Sequence, residues 1–194
     1  GLHVASGKNW MGRATLHRPV VYVAGEGSGG ILARIKSWMV HNGVEKDLDN
    51  FFIVEQMPPF ADYREVDALL AEISALKPGL VIIDTLARAM TGLDENSARD
   101  MGTAIGAADL MVQTLNCLVV YLHHTGKDEA KGSRGSTAGP AALDIQLSVK
   151  ANTDRKEIYV RMSKGKDVEQ WPEVQVFKGH KIDLQAKGLK QSLA

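Results

Sequence analysis

Four short apolar runs alternate with longer segments of helical period, and this alternation restricts the fold more than any other feature of the sequence. The runs are PVVYVA (19–24), FFIVE (51–55), LVIID (80–84) and CLVVYLHH (117–124). Short strands separated by helices are typical of βαβ units, whose strands pair in parallel. The pattern predicts an α/β fold with a mostly parallel central sheet flanked by helices.

The segments between the runs have the sequence features of helices with one buried face. After the first run, apolar residues recur every three or four positions, and Gly43 stands where a helix cap is expected. After the second, Asp62 and Glu65 form a capping-box pattern, and Pro78 and Gly79 end the helix. The predicted buried stripe of the third helix consists of Met101, Ile105, Ala108, Val112 and Leu115.

The last third of the chain has a different period. The segments AALDIQLSVK (141–150), EIYVRMSK (157–164) and EVQVFKG (173–179) alternate apolar with polar residues and are joined by short polar connections. This pattern predicts C-terminal antiparallel strands that continue the sheet. We expect one domain over residues 1–180, followed by a C-terminal tail over residues 181–194.

The composition limits the compartment and the partners. The 23 basic and 23 acidic residues balance, but from Lys150 onward ten basic residues face six acidic ones. An anionic partner would therefore bind a local basic region and not the surface as a whole. The single cysteine, Cys117, excludes an internal disulfide. No run approaches the roughly 18 apolar residues of a membrane span, and the N-terminus has no signal-peptide pattern. We therefore expect a cytoplasmic protein that does not associate with a membrane.

Polar and charged residues follow each apolar run, at the ends of the predicted strands. In an open α/β sheet, ligands bind outside the carboxyl ends of the strands, so these residues are the first candidates for a site. They are Glu26, Glu55, Asp84 with Thr85, and His123 with His124.

The glycine-rich segment VYVAGEGSGG (21–30) has two interpretations. Its glycines have the GxGxxG spacing of a dinucleotide-binding loop, with Glu55 in place for a ribose, which predicts an NAD-binding oxidoreductase. Glycine also suits any tight turn between a strand and a helix, whatever the function. The spacing alone does not decide between them.

Three further features of the sequence have residue types that suit binding of a phosphate or its metal ion. LVIID has the form of a Walker B strand, which would bring Asp84 to Mg²⁺, although an aspartate here could instead cap a helix. His123 and His124, adjacent on a strand, would face opposite sides and cannot chelate one metal, but one of them could contact a phosphate. Arg134, in KGSRGSTAGP, suits the stabilisation of phosphate charge, or is a solvated loop arginine.

Five segments in order, VVYVAGEG, LVIIDTLARAM, LVVYLHHTGK, SRGST and VRMSKGK, resemble the RecA-like hexameric helicase and ATPase group. They are most similar to the plasmid replicative helicase RepA group and its phage and prophage relatives, and they span about residues 19–170. The resemblance implies a RecA-like three-layer fold and an ATPase that uses ATP and Mg²⁺. It also implies a homo-oligomeric ring, a hexamer, that couples hydrolysis to binding or movement on single-stranded DNA in replication or recombination.

The resemblance assigns roles to individual residues. Glu26 would be the general base that activates the water attacking the γ-phosphate. Asp84 would act on Mg²⁺, with Thr85 beside it at the nucleotide. One histidine of the pair His123 and His124 would sense the γ-phosphate.

The resemblance places further nucleotide contacts at the subunit interface. Arg134 would be the arginine finger that reaches into the next subunit's site. Lys164 and Lys166 occupy the positions of a KxR pair, with lysine in place of the second arginine. DNA contacts are expected in the segments 125–139 and 88–96.

One element of the family pattern does not occur in the sequence. No GxxxxGK[ST] motif is present, and GLHVASGKNW (1–10) resembles the end of the helix that follows such a loop. We therefore expect the phosphate loop to precede Gly1, and a chain without it to bind ATP poorly. The alternative is a truncated or degenerate RecA-like domain that acts as a non-catalytic assembly module.

Overall fold

The four apolar runs form one parallel sheet. The structure, a computed structural model, describes residues 1–26, 28–45, 48–124, 141–169, 171 and 173–179. The strands β1 (Val20–Ala24), β2 (Phe51–Val54), β3 (Leu80–Asp84) and β4 (Leu118–Leu122) lie in the order β2-β1-β3-β4. Every pairing between them is parallel. The predicted strands are confirmed, except that β4 ends before the two histidines.

Helices connect these strands. They are α1 (Leu2–Ser6), α2 (Ile31–Asn42), α3 (Tyr63–Ile73), α4 (Leu86–Ala89) and α5 (Ala98–Leu115), with 3₁₀ turns at 28–30 and 74–76. The backbone of Gly43 is left-handed, with φ 62°, and caps α2 as predicted. The Asp62 side chain accepts from the backbone N–H of Arg64 and starts α3. The sequence thus encodes both helix ends locally.

Helices pack on both faces of the parallel sheet. On one face, Val21 and Val81 are fully buried beneath residues of α3 and α5 such as Ile73 and Met111. On the other face, Ala5 of α1 belongs to a second apolar cluster, with Val20, Leu80 and Ile82 from the strands. The α2 helix lies beside α1, because Trp38 Nε1 donates to His3 Nε2 at 3.3 Å. The result is a three-layer α/β architecture, as predicted.

The buried face of α5 differs from the predicted stripe. Met101 is buried as expected, but Val112 is 42% exposed. The Tyr121 hydroxyl of β4 donates to the Ala104 carbonyl at 3.3 Å and orients this helix on the sheet. Because α5 is apolar on more than one side, its period alone does not fix the face that is buried. The residues buried along it are Met101, Ala104, Ala107 and Met111.

The C-terminal strands are antiparallel as predicted, but they form a sheet of their own. In the part of the chain that the structure describes, β5 (Ile145–Asn152), β6 (Glu157–Gly165) and β7 (Gln175–Lys178) pair in the order β5-β6-β7 and not with β1–β4. The prediction that they continue the first sheet is wrong. An alternating pattern identifies strands but does not identify their partners, and short connections let these strands satisfy each other's hydrogen bonds.

A tight turn near the N-terminus contacts the C-terminal part of the chain. Trp10 and Arg13 exchange two backbone hydrogen bonds of 2.9 Å across the turn. The Trp10 ring lies 6.1 Å from the Trp171 ring, and the Arg13 guanidinium lies 5.8 Å from the same ring. No helix among the described residues is long and apolar enough to span a bilayer. The predicted tail, 181–194, lies outside the described residues.

Candidate active site at the ends of β1 and β3

The strand order creates a crevice between β1 and β3. From β1 the chain moves to β2 on one side, and it then returns to form β3 on the other side of β1. Open α/β sheets bind ligands where the strand order reverses in this way, outside the carboxyl ends of the strands. Glu26 follows β1 and Asp84 ends β3, so both residues border the crevice.

Glu26 forms an ion pair across this crevice. Arg88 in α4 donates through Nε to Glu26 Oε1 at 2.9 Å, and the side chains are 60% and 41% exposed, respectively. Exposed pairs of this kind contribute little to stability, because water and salt screen them. The pair therefore leaves a solvated, exchangeable carboxylate at the end of β1.

Gly25 explains why Glu26 lies so close to the end of β3. Its backbone N–H donates to the Asp84 carbonyl oxygen at 2.5 Å. A Cβ at this position would lie 2.8 Å from Arg88 Cβ and 3.0 Å from the Asp84 carbonyl oxygen, closer than real side chains approach. Here glycine is required by the close approach of two backbone segments, which makes the glycine before Glu26 part of the site.

The Asp84 carboxylate is partly buried and hydrogen-bonded. The Tyr22 hydroxyl of β1 donates to Asp84 Oδ2. Burial, followed by the hydrogen bond and charge of Asp84, raises the pKa of Tyr22 from its ordinary value of 10.0 to about 12, so this phenol remains a donor at physiological pH. Thr85, and not Asp84, occupies the N-cap position of α4. Asp84 is therefore not a helix cap, and its carboxylate is fixed by a neighbouring strand.

Thr85 is 1% exposed, and its Oγ1 has no hydrogen-bond partner among the described residues. The peptide that joins it to Asp84 is cis. A buried hydroxyl without a partner is uncommon in a folded protein, because its desolvation is left uncompensated. The Thr85 hydroxyl is therefore free to bond a ligand beside Asp84, the carboxylate predicted to act on magnesium.

The two histidines lie beyond β4, not within it as the sequence suggested. His123 is partly buried, and its Nε2 lies 3.4 Å from Glu95 Oε2 in the connection between α4 and α5. His124 is exposed. Because neither residue is held in a strand, the alternation of faces does not apply to them. The contact with Glu95 distinguishes the two: His123 is anchored to the α4–α5 connection.

The two predicted lysines have partners outside the crevice. Lys164 Nζ donates to the Ala141 carbonyl at 2.8 Å, and Lys166 Nζ lies 3.9 Å from an Asp144 carboxylate oxygen. Both lysines therefore contact the segment just before β5 in their own chain. Arg134 and the predicted DNA-contacting segment 125–139 lie outside the described residues.

The residues at the crevice fit a magnesium–nucleotide ligand. Within the described ranges, no cluster of three or more His, Cys, Asp or Glu side chains could hold a metal alone. Magnesium, however, is commonly held by one or two carboxylates together with substrate phosphates and water. Asp84 supplies such a carboxylate, and the unpartnered Thr85 hydroxyl lies beside it. The donor set matches a metal that arrives with its substrate.

The dinucleotide interpretation has little support in this geometry. The strand order here is β2-β1-β3-β4, whereas the dinucleotide fold places its first strand between the second and the fourth. Glu55 is exposed at the end of β2, which flanks β1 as the second strand of a dinucleotide fold also does, so the order of the strands is what separates the two folds. We therefore interpret the glycine-rich segment 25–30 as a tight turn between β1 and α2 and not as a dinucleotide-binding loop.

Sequence reasoning gave Tyr22 no role and placed Arg88 only in a predicted DNA-contacting segment, 88–96, not beside Glu26. Tyr22 lies inside an apolar run, where a tyrosine is indistinguishable from a core residue. Arg88 follows Asp84 by four positions, but its pairing with Glu26 spans 62 positions of the chain. The available signal for Arg88 was a basic residue just past a Walker B-like strand.

Comparisons with known proteins agree with this architecture. A family model described as an AAA domain matches residues 1–130. Among 305 matching chains of solved structures, the crystal structure of the RadB recombinase has a TM-score of 0.59 at 12% sequence identity, covering 90% of this chain and 77% of that chain. No curated protein matches the chain. The fold is RecA-like, with a mostly parallel central sheet, flanking helices and an antiparallel sheet.

Proposed function

Given that the chain belongs to the AAA domain family, we propose that it is the ATPase domain of a RepA-like helicase of the RecA superfamily. It would couple ATP hydrolysis to binding or translocation of single-stranded DNA in replication or recombination. The substrate would be ATP with Mg²⁺.

One observation carries this proposal: two carboxylates with different environments border the crevice at the strand switch point. Glu26 is solvated and exchangeable, while Asp84 is held by Tyr22. Phosphoryl transfer to water requires a group that orients the water and a group that holds the metal. Glu26 fits the first task because its carboxylate is exposed to water, and Asp84 fits the second because Tyr22 holds its carboxylate.

Other residues would complete the reaction. Magnesium bound at Asp84 would neutralise developing phosphate charge, with the Thr85 hydroxyl available at the nucleotide. His123 is favoured over His124 as the γ-phosphate sensor, since its contact with Glu95 connects it to the α4–α5 segment. Arg134 would act as the finger in a neighbouring subunit's site.

The remaining features would lie at the edges of this site. Lys164 and Lys166, at the end of β6, would turn toward the subunit interface from their contacts with the segment before β5. A GxxxxGK[ST] phosphate loop does not occur within residues 1–194, so the residues named above would act together with phosphate contacts that this sequence does not supply.

The central test is turnover of the full-length protein and of Glu26→Gln. Wild-type protein is expected to hydrolyse ATP in a magnesium-dependent reaction that single-stranded DNA stimulates, and to displace a DNA strand. Glu26→Gln should lower kcat about 10²- to 10⁴-fold, with nucleotide binding retained, because the glutamine cannot accept a proton. Glu157→Gln in β6 is the matched control and should hydrolyse ATP normally. Normal turnover of Glu26→Gln would remove Glu26 from the mechanism.

The proposed ring and its shared site require a separate test. Arg134→Ala should also lose turnover, and mixing it with Glu26→Gln subunits should restore part of the activity if the finger acts between subunits. Absence of rescue would contradict a shared site. Size determination with ATP and DNA present tests the proposed hexamer.

A second candidate function is favoured by the missing GxxxxGK[ST] motif. In this alternative the chain is a non-catalytic RecA-like module that only assembles with partners. The same assays separate the two: a full-length protein that assembles but shows no magnesium-dependent ATP binding or hydrolysis is a module.

A further inference from the structure

The ion pair between Arg88 and Glu26 is in conflict with the proposed role of Glu26. Arg88 Nε donates to Glu26 Oε1 at 2.9 Å. A general base needs its carboxylate directed at the attacking water. While Glu26 is engaged with a guanidinium, it is held toward α4. The arrangement therefore corresponds to a resting state of the site.

The backbone around the pair is fixed, while the side chains are not. Gly25 is bonded to the Asp84 carbonyl, and the Arg88 N–H donates to the Thr85 carbonyl at 3.1 Å. The two charged side chains, by contrast, are 60% and 41% exposed. Either one can change partner without any movement of the strands. The pair has the properties of a local switch.

Arg88 has donors to spare. Only its Nε contacts Glu26, and its terminal nitrogens donate to no other residue in the described part of the chain. A guanidinium carries five N–H donors in a planar fork that matches phosphate oxygens. Arg88 and Asp84 both lie against Gly25, so a phosphate on the magnesium side of Asp84 would lie near Arg88. A terminal phosphate is thus a competing anion for Arg88.

We propose that Arg88 is a nucleotide-sensing residue in its own subunit, which exchanges Glu26 for the terminal phosphate of ATP. In the nucleotide-free state it holds the base away from water. When ATP binds, the guanidinium turns to the phosphate and Glu26 is released to the water. The inference rests on the proposed ATPase function, and it adds that binding of the terminal phosphate is what frees the base.

The test is a double-mutant cycle on nucleotide affinity. The proteins are wild type, Glu26→Gln, Arg88→Met and the double variant, each full length. Methionine retains an aliphatic stem against Gly25, so the packing there is preserved. The measurement is the Kd for a non-hydrolysable ATP analogue with Mg²⁺, and for ADP with Mg²⁺. Arg64→Met is the control, because Arg64 is also an exposed arginine that pairs with a carboxylate, Asp62, at 2.8 Å.

If Arg88 exchanges Glu26 for the phosphate, the effects of the two substitutions on the Kd of the ATP analogue should not be additive. Glu26→Gln should tighten binding of the ATP analogue about two- to fivefold, because Arg88 no longer has to leave a carboxylate. In the Arg88→Met background the same substitution should have no effect, and ADP affinity should be unchanged by it in both backgrounds. Arg88→Met should weaken the ATP analogue more than ADP. Arg64→Met should change neither affinity.

Other outcomes would overturn the inference. If Glu26→Gln changes analogue affinity equally with and without Arg88, the two residues are not exchange partners. If Arg88→Met weakens the analogue and ADP alike, Arg88 does not sense the terminal phosphate. A wild-type protein that hydrolyses ATP but gives an additive cycle refutes only the exchange. A wild-type protein that binds no ATP refutes the exchange and the proposed function together.

Discussion

The parallel sheet and the antiparallel sheet of this chain bury their residues very differently. Val21, Val23 and Val81 in β1 and β3 are 0% exposed, whereas Val149 in β5 and Val176 in β7 are 63% and 52% exposed. The difference arises because helices cover both faces of the parallel sheet, as its βαβ connections require. The described residues offer no such cover for β5–β7.

This contrast matters for function, because Glu26 and Asp84, the two carboxylates proposed to act on the attacking water and on the metal, are attached to the parallel sheet. Glu26 and Asp84 are each within two residues of a fully packed strand. Their spacing is set by ladder hydrogen bonds and by the Gly25 contact, not by flexible loops. A site needs such support to hold its groups in register. Substitutions that distinguish the two sheets therefore test where function resides.

The largest difference is expected from removing a carboxylate charge at each sheet. Asp84→Asn should lower ATP hydrolysis by the full-length protein about 100-fold or more, because the metal loses its charged ligand. The matched substitution Asp154→Asn, in the turn between β5 and β6, should leave turnover unchanged. Steady-state hydrolysis over a range of Mg²⁺ concentrations measures both. Equal effects would show that the site is not confined to the parallel sheet.

A valine in each sheet provides the corresponding comparison for stability. Val81→Ala removes two buried methyl groups from β3 and should reduce the free energy of unfolding by about 2 kcal/mol. Val149→Ala in β5 should change it by less than about 0.5 kcal/mol, because that side chain is mostly exposed. Urea unfolding followed by circular dichroism measures both values. A large loss at Val149 would mean that β5 is covered in solution.

Glycines allow the close backbone approach at the site to be tested separately from burial. Gly25→Ala should destabilise the protein by about 1.5 kcal/mol and impair hydrolysis, because the new Cβ must displace Arg88 or the Asp84 carbonyl. Gly102→Ala in α5 meets no atom within 4 Å and should stabilise the helix by about 0.5–1 kcal/mol. Thermal unfolding should shift in opposite directions for the two variants, and hydrolysis should fall only in Gly25→Ala, if the contact is as described.

The smallest effect concerns Tyr22. Its pKa is raised from 10.0 to about 12 by burial and by Asp84, so the folded state holds this proton more tightly than the unfolded state. The resulting stability is fully present below pH 10 and is lost as the pH rises from 10 toward 12. Tyr22→Phe should therefore show a shallower loss of stability in that window. Burial also raises the pKa of Tyr121, but this residue is present in wild type and in Tyr22→Phe, so its contribution to the pH dependence is the same in both.

Hydrolysis by the Tyr22 variant adds a readout that packing alone would not change. Without the hydroxyl, the Asp84 carboxylate is less well fixed, and the Mg²⁺ concentration for half-maximal activity should shift about two- to fivefold. Activity at saturating Mg²⁺ should remain close to that of wild type. An unchanged Mg²⁺ dependence would show that Tyr22 does not position Asp84.

Much of the parallel sheet was predictable because its signals are local. Short apolar runs identified β1 to β3 almost to the residue, and Gly43 and Asp62 marked helix ends through their own backbone chemistry. Placing Glu26 and Asp84 at one edge followed from the parallel pairing alone. Whether those two residues perform the proposed chemistry remains a prediction.

The rest depended on contacts that no local pattern records. The Tyr22–Asp84 and Arg88–Glu26 contacts each connect residues 62 positions apart. The face of α5 that is buried depends on how β4 contacts it, and the choice of partner for β5 depends on competition between two sheets. Patterns of period two and 3.6 identify elements, but long-range pairing is decided by the packing of the whole domain.

The central position of β1 also has a kinetic consequence. β1 can pair with β3 only after the chain has reached residue 84, since Val20 lies opposite Leu80 and Ala24 opposite Asp84. Parallel pairings across such long connections form slowly, because the entropy of closing the loop is lost before contacts compensate for it. During synthesis, β1 exposes an open hydrogen-bonding edge until β3 arrives. Glu26 and Asp84 therefore become neighbours only when β3 pairs with β1, so the candidate site and the centre of the sheet form in one step.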